Sequence, residues 1–413
     1  MIVIRSAGVK TGFCRPTGWQ DGRKTVSWGV GISLLLISAW PMNTPSISSR
    51  LDAIRHKIDA GERLDASDGE FLFRADVDLH EVGRLANAIR ERKNGNLAYY
   101  NLNAHLNPTN VCIYRCNFCA YSRDEDDPDA YVMDDQQIFA EAAEADRAGC
   151  TELHIVGGLH PRKPFDWYLG IVRLVHEAHP RLHLKAWTAV EIARFAELAE
   201  LSIREVLARL IDAGLGSLPG GGAEIFDPAI RAKLCPRKID ADAWLAVHRA
   251  AHGLGLRSTA TMLFGHIENA MHRIGHLLRL RALQDETGGF LSFVPLSFHP
   301  EATQFGHLRR TSSLDDLRTV AVSRLMLDNF DHVKAYWISL GLGTAQTALA
   351  YGADDLDGTV REERIHHEAG STTPQCLSAE ALRHLIREAG RMPAERDTLY
   401  RLVRRDGTAW ETC

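Results

Sequence analysis

The chain has 413 residues, 45% of them hydrophobic and 24% charged, with a net charge of −5. This is the composition of a globular protein, and the acidic balance excludes the basic surface that nucleic-acid binding needs. The length accommodates a full α/β barrel of about 250 residues with flanking helices.

Residues 1–41 differ in character from the rest. Arg5, Lys10, Arg15, Arg23 and Lys24 precede an uncharged run from Val26 to Trp40. A basic start before a short apolar stretch imitates a signal peptide. The run is too short, and too rich in Gly and Ser, to span a bilayer comfortably. The expectation is an extension from a mis-called start, with Met42 as the functional initiator and a cytoplasmic protein without membrane contact; a membrane tether is the alternative. Residues 42–100 read as a helical N-terminal layer, in which Leu51, Ile54 and Ile58 share a helix face that ends at Ala60-Gly61.

From Asn101 short apolar runs alternate with amphipathic stretches. Leu153–Val156 is a buried-strand run closed by Gly157-Gly158, and Ile171, Leu174, Val175 and Ala178 follow at helical spacing. Strand-like runs recur at 182–187, 216–219, 257–264, 291–296 and 332–337, with a last near 353–356. Ile203, Val206, Leu207, Leu210 and Ile211 mark another helix, and Trp244, Val247 and Ala251 one more. Pro295 lacks an N–H, so the chain is expected to leave the sheet there. Counting the strand before Cys112, this gives up to eight β/α units. Alternation implies parallel strands with crossover helices. The predicted fold is therefore α/β: a parallel (β/α)8 TIM-like barrel over residues 101–374, with a small C-terminal extension over 375–413.

Within this pattern Cys112, Cys116 and Cys119 follow the first strand at C-x₃-C-x₂-C spacing. Three thiolates can hold a 4Fe–4S cluster and leave one iron open to a small molecule. An open iron suits S-adenosylmethionine, whose C–S bond breaks on one-electron reduction to give a 5′-deoxyadenosyl radical. Structural zinc is the alternative, and it needs a second ligand pair. Cys14, Cys150, Cys235, Cys376 and Cys413 stand isolated, so the fourth ligand would be a distant residue such as His105 or Cys150. A zinc-stabilised binding module without catalysis is the corresponding non-enzyme reading. So few cysteines in so long a chain do not suggest a disulfide framework.

In such a barrel, chemistry gathers at the C-terminal strand ends. Gly157 and Gly158 there can bring backbone carbonyls close to the ammonium of S-adenosylmethionine, or simply form a tight turn. Glu191 can accept from ribose hydroxyls or act in a helix cap. Gly220, Gly221 and Gly222 form either an anion nest for a substrate carboxylate or a flexible turn. Gly265 closes the fifth strand where the adenosyl group is expected, and Val294 in the sixth offers backbone hydrogen bonds to adenine. His266 and His299, also at predicted strand ends, are the catalytic candidates and further anion donors.

The motifs Asn107–Arg123, His154–Pro161, Ser217–Phe226, Ala260–His266, Gln284–Phe290 and Gly352–Thr359 together resemble the menaquinone-pathway branch of radical S-adenosylmethionine enzymes. The resemblance covers roughly residues 45–370. Pro-Gly-Gly-Gly-Ala-Glu at 219–224 and His-Ile-Val-Gly-Gly at 154–158 favour the aminofutalosine synthase group. The dehypoxanthine futalosine cyclases tend to carry a fourth glycine at Ala223, and the deazaflavin-cofactor synthase subunits tend to replace the triple glycine. Pro108 departs from the aromatic or Leu that the family often has. The resemblance implies one 4Fe–4S cluster per chain and S-adenosylmethionine as a consumed co-substrate. It implies an aromatic at Phe118 packing beside adenine. It also implies an aryl enol ether substrate, 3-[(1-carboxyvinyl)oxy]benzoate, and an electron donor such as a flavodoxin or ferredoxin.

Overall fold

The computed structural model describes residues 46–413; the expectations for residues 1–41 and for Met42 lie outside them. Three helices come first, Ile47–Ala60, Ala66–Phe73 and Leu79–Asn94. Each starts where the sequence supplies a side-chain acceptor. Ser46, Asp65 and Asp78 accept from amides of the first turns of their helices.

Twelve strands follow. They are β1 (Leu97–Asn101), β2 (Asn103–Leu106), β3 (Glu152–Ile155), β4 (His183–Ala186), β5 (Leu215–Leu218) and β6 (Arg257–Phe264). Then come β7 (Phe290–Ser297), β8 (His332–Val333), β9 (Asp355–Gly358), β10 (Met392–Glu395), β11 (Val403–Asp406) and β12 (Ala409–Thr412). β2 to β8 form a seven-stranded sheet in sequence order, every pair parallel. The segment around β9 bonds to both edges of that sheet. Ala335 N–H donates to Asp355 O at 2.7 Å, and His105 N–H donates to Arg361 O at 2.8 Å. The eighth position of the barrel is thus an irregular segment joined by isolated bridges, Lys334 to Asp355 and Ala104 to Arg361.

Helices cover the barrel because their apolar stripes face it. Phe165–Ala178 buries Tyr168, Ile171, Val172 and Val175. Behind it Tyr168, Trp187 and Phe195 meet at ring separations of 5.4, 4.5 and 5.7 Å. No helix among the described residues is long and apolar enough to cross a membrane.

Two sequence expectations need correction. β7 does not leave the sheet at Pro295; it pairs with β6 as far as Ser297. Phe293 O accepts from Lys334 N–H on the β8 side, whereas Phe298 N–H donates to Phe264 O on the β6 side. By alternation the nitrogen of Pro295 faces β8, which ends at Val333. The missing donor falls where no strand remains to receive it. The stretch 42–100 is not wholly helical either. It ends in β1, which lies between β10 and β9 in a second parallel sheet.

Candidate active site

Between β2 and the helix Asp135–Arg147 lies a long loop that carries the three cysteines. Backbone bonds fold it back on itself. Cys112 N–H donates to Arg123 O at 3.0 Å, Arg123 N–H to Asn110 O at 2.8 Å and Cys119 N–H to Cys116 O at 2.9 Å. Other loops pin it in place. Ile113 N–H reaches Leu159 O and Asn117 N–H reaches Leu234 O, each at 2.9 Å.

The thiols of Cys112, Cys116 and Cys119 line one cavity of about 320 Å³ at the C-terminal end of the sheet. Burial pushes the Cys116 thiol up to about 12 and raises that of Cys119. The bare thiols of Cys116 and Cys119 hold their protons, so loading metal must displace them. Among the described residues no three His, Cys, Asp or Glu side chains gather as ligands of a single ion. Three thiols that share one cavity can hold three irons of a 4Fe–4S cluster.

Phe118, Gly157, Gly158, Glu191, Gly220, Gly221, Gly222, Val294 and His299 line the same cavity. Phe118 lies beneath the Lys238 ammonium, 5.0 Å from its ring centre. Lys238 in turn pairs with Glu224 at 2.6 Å.

The glycines of the second loop serve the cysteine loop itself. A Cβ on Gly158 would stand 2.1 Å from Val111 O, and one on Gly157 2.9 Å from Thr109 O. Gly158 N–H donates to Thr109 O at 2.7 Å. Glu191 forms the helix cap and also borders the cavity. Its carboxylate accepts from Thr188 N–H at 2.6 Å in a capping box and from Gly157 N–H at 3.2 Å, while its side chain borders the cavity. Burial pushes its carboxyl up to about 7.

The glycine run is tightly packed, not a loose turn. A Cβ on Gly220 would meet the backbone of Thr259, Ala260 and Thr261 at 2.8 Å. Its carbonyls are taken: Gly220 O accepts from Thr261 Oγ1 at 2.6 Å and Gly221 O from Trp244 Nε1 at 3.1 Å.

Gly265 and His266 stand apart from this lining. The His266 ring is buried, with Nε2 on Leu263 O at 3.0 Å and Nδ1 close to both Ile267 N at 2.7 Å and Glu268 Oε2 at 2.8 Å. Gly265 N–H donates to Glu268 Oε1 at 2.6 Å within the same closed turn. Position at a strand end was a sound signal, but both groups are spent on the turn. His299 does reach the cavity. Its Nε2–H donates to Ser339 O at 2.9 Å, which leaves Nδ1 as a buried acceptor. Burial pushes its imidazole down to about 4, so it faces the cavity neutral. It cannot serve as the anion donor expected from the sequence.

The sequence reading passed over the polar belt at the cavity floor. His105 on β2, His154 on β3 and Lys185 on β4 stand at one register. Lys334 and Asp357 pair with each other beside β2, where Asn103 Nδ2 reaches Asp357 Oδ2 at 3.4 Å, and all five line the cavity. Leu153-His154-Ile155-Val156 reads from the sequence as a buried-strand run. The missed signal was the period of two: Asn103 and His105, or Glu152 and His154, alternate with apolar neighbours on barrel strands.

Comparison with known proteins agrees with this geometry. Residues 106–280 match the family model of the radical SAM superfamily, and residues 287–407 that of the CofH/MqnC C-terminal region. The chain is 47% identical over 359 residues to an aminodeoxyfutalosine synthase of Thermus thermophilus, covering 86% of this chain and 96% of that one. The chain belongs to the radical S-adenosylmethionine superfamily. Within it, an aminodeoxyfutalosine synthase of Streptomyces coelicolor is 44% identical over 362 residues, or 85% of this chain and 93% of that one. A 5-amino-6-(D-ribitylamino)uracil–L-tyrosine 4-hydroxyphenyl transferase of Methanopyrus kandleri is 42% identical over 357 residues, 85% of this chain and 95% of that one. The chain thus falls in the family branch that holds these synthases and transferases. The crystal structure of methylornithine synthase shares the fold at a TM-score of 0.67 and 18% identity, covering 83% of this chain and 97% of that one. As an enzyme of this family the chain uses a 4Fe–4S cluster and S-adenosylmethionine. Cys112, Cys116 and Cys119 are the residues that fit the cluster.

Proposed function

We propose that the chain joins the 5′ carbon of the adenosyl group to the vinyl carbon of 3-[(1-carboxyvinyl)oxy]benzoate. The product is 6-amino-6-deoxyfutalosine, with the carboxyl group lost as bicarbonate, a step of menaquinone biosynthesis. The observation that carries this reading is the identity with two aminodeoxyfutalosine synthases along nearly their whole length. The Pro-Gly-Gly-Gly-Ala-Glu run at 219–224 supports it.

When bound, the cluster and S-adenosylmethionine supply the adenosyl radical, and the protein supplies place and shelter. The cysteine loop fixes one end of the cavity. Gly220–Gly222 and Val294 wall its sides, and the mostly apolar lining keeps out water and stray hydrogen donors. In this reading Phe118, which lines the cavity, packs beside adenine, and Glu191 tethers the Gly157 loop through the Gly157 N–H. The cytoplasm and a small electron-donor protein complete the expected setting.

S-adenosylmethionine labelled at the 5′ carbon tests the reaction. The label should appear in an adduct with the benzoate substrate. Label found in 5′-deoxyadenosine alone, without adduct, overturns the reading in favour of the cyclase or the deazaflavin branch.

A further inference from the structure

His105 and His154 face each other across adjacent strands of the cavity floor, their ring centres 4.7 Å apart. Both line the cavity. Each carries a buried Nε2 that no described residue satisfies. Buried polar atoms nearly always have a partner, and an orphan costs free energy. Two orphans side by side in one cavity call for a ligand.

The surroundings narrow its chemistry. The belt's ammonium groups are already engaged, Lys185 with Glu152 at 2.6 Å and Lys334 with Asp357. The carboxylates that act on the pair are paired as well. Glu152 also accepts from Thr398 at 2.8 Å, and Glu363 from His367 at 2.9 Å. Burial and the neighbouring cations hold both imidazoles neutral. A neutral imidazole carries one N–H. Two such donors on neighbouring strands match the two oxygens of a carboxylate without placing a net charge in the wall.

From this geometry we propose that His105 and His154 are the specificity-determining residues that hold the ring carboxylate of the aromatic substrate. The inference rests on the proposed function and deepens it. The vinyl carbon must lie toward the cysteine loop, where the reaction starts. The ring carboxylate is at the far end of the same molecule. His105 stands one residue from the end of β2, at the floor of the cavity whose other end holds the thiols.

The test uses cluster-loaded enzyme with S-adenosylmethionine and two ethers, the benzoate substrate and its analogue lacking the ring carboxylate. Wild-type enzyme should prefer the benzoate. His105→Phe and His154→Phe keep a ring of similar size without an N–H. Each should raise KM for the benzoate about tenfold to a hundredfold, the range of a charge-assisted hydrogen bond. Turnover of the analogue without the ring carboxylate should stay unchanged, and His→Gln at either position, which restores a donor, should recover part of the loss. An equal loss on both ethers, or an undiminished preference, overturns the proposal.

A binding measurement separates this outcome from failure of the functional reading. Wild-type protein with ¹⁵N-labelled histidine is titrated with 3-hydroxybenzoate and with phenol. The ring nitrogens of His105 and His154 should shift with the benzoate and not with phenol; the absence of such a shift overturns the proposal. If wild-type enzyme turns over neither ether, the functional reading falls while this titration still decides the histidine pair.

Discussion

Cys116 is the most enclosed of the three thiols, with 7% of its surface exposed. Its place at the centre of the C-x₃-C-x₂-C loop makes it the sharpest test of the metal assignment. In Cys116→Ala protein reconstituted with iron and sulfide, iron per chain should fall and the visible absorbance of the cluster should disappear. A full iron complement in that variant would refute the ligand set. Glu191 gives a second test, of pH dependence. Burial raises its carboxyl from 4.5 to about 7 in the folded chain. The folded state therefore keeps a proton that the unfolded chain releases. That contribution to stability is complete below about 4.5 and is lost as pH rises through about 7. Glu191→Gln keeps an uncharged acceptor for Thr188 and Gly157. In protein without its cluster, the Tm of this variant relative to wild type should climb between about pH 5 and pH 8. A difference that stays flat over that range would show that Glu191 is not buried as drawn.

At the scale of elements, the site depends on how closely the β3 loop approaches the cysteine loop. Gly158→Ala would drive a methyl group to 2.1 Å from Val111 O, a backbone atom that cannot rotate away. The cost should be about 1–3 kcal/mol in urea unfolding, together with impaired cluster loading. Full loading and unchanged stability would contradict the packing. The same elements show what the sequence revealed and what it hid. β6 spans Arg257–Phe264, as its strand-like run predicted, and every residue from Ser258 on is buried, as in a strand covered on both faces. The cysteine loop was legible from spacing alone. β8 was drawn too long, since His332-Val333-Lys334-Ala335-Tyr336-Trp337 is strand-like throughout, yet Trp337 turns into a helix and sends its Nε1–H to Gly358 O at 2.9 Å. His266 was drawn into the site because its position at a strand end does not reveal that two backbone groups already occupy its ring. His154 shows the opposite case: it lies inside a run that reads as a buried strand, and His105 is read from the sequence only as a distant zinc ligand, although the interior of a barrel is where a ligand lies.

At the scale of the molecule, the sequence suggests a barrel with a helical layer before it and a small extension after it. The strands connect these parts more tightly. β1, from the stretch read as the N-terminal layer, pairs with β10 from the stretch read as the extension, and with β9 between them in sequence. Beyond β10, Arg396 is buried and bonds to Asp355 Oδ2 at 2.6 Å. Thr398 donates to Glu152 Oε2 at 2.8 Å, and Glu152 is the partner of Lys185 in the cavity belt. Residues 375–413 thus hold two carboxylates of the barrel interior. Losing one partner of a buried ion pair costs about 3–5 kcal/mol, a large share of the roughly 5–15 kcal/mol that keeps a domain folded. A chain truncated after residue 374 should therefore lose cooperative unfolding or fail to stay soluble, and Arg396→Ala in the full chain should reproduce much of the loss of stability. A truncated chain with the Tm of the full one would show that the extension only rests on the barrel.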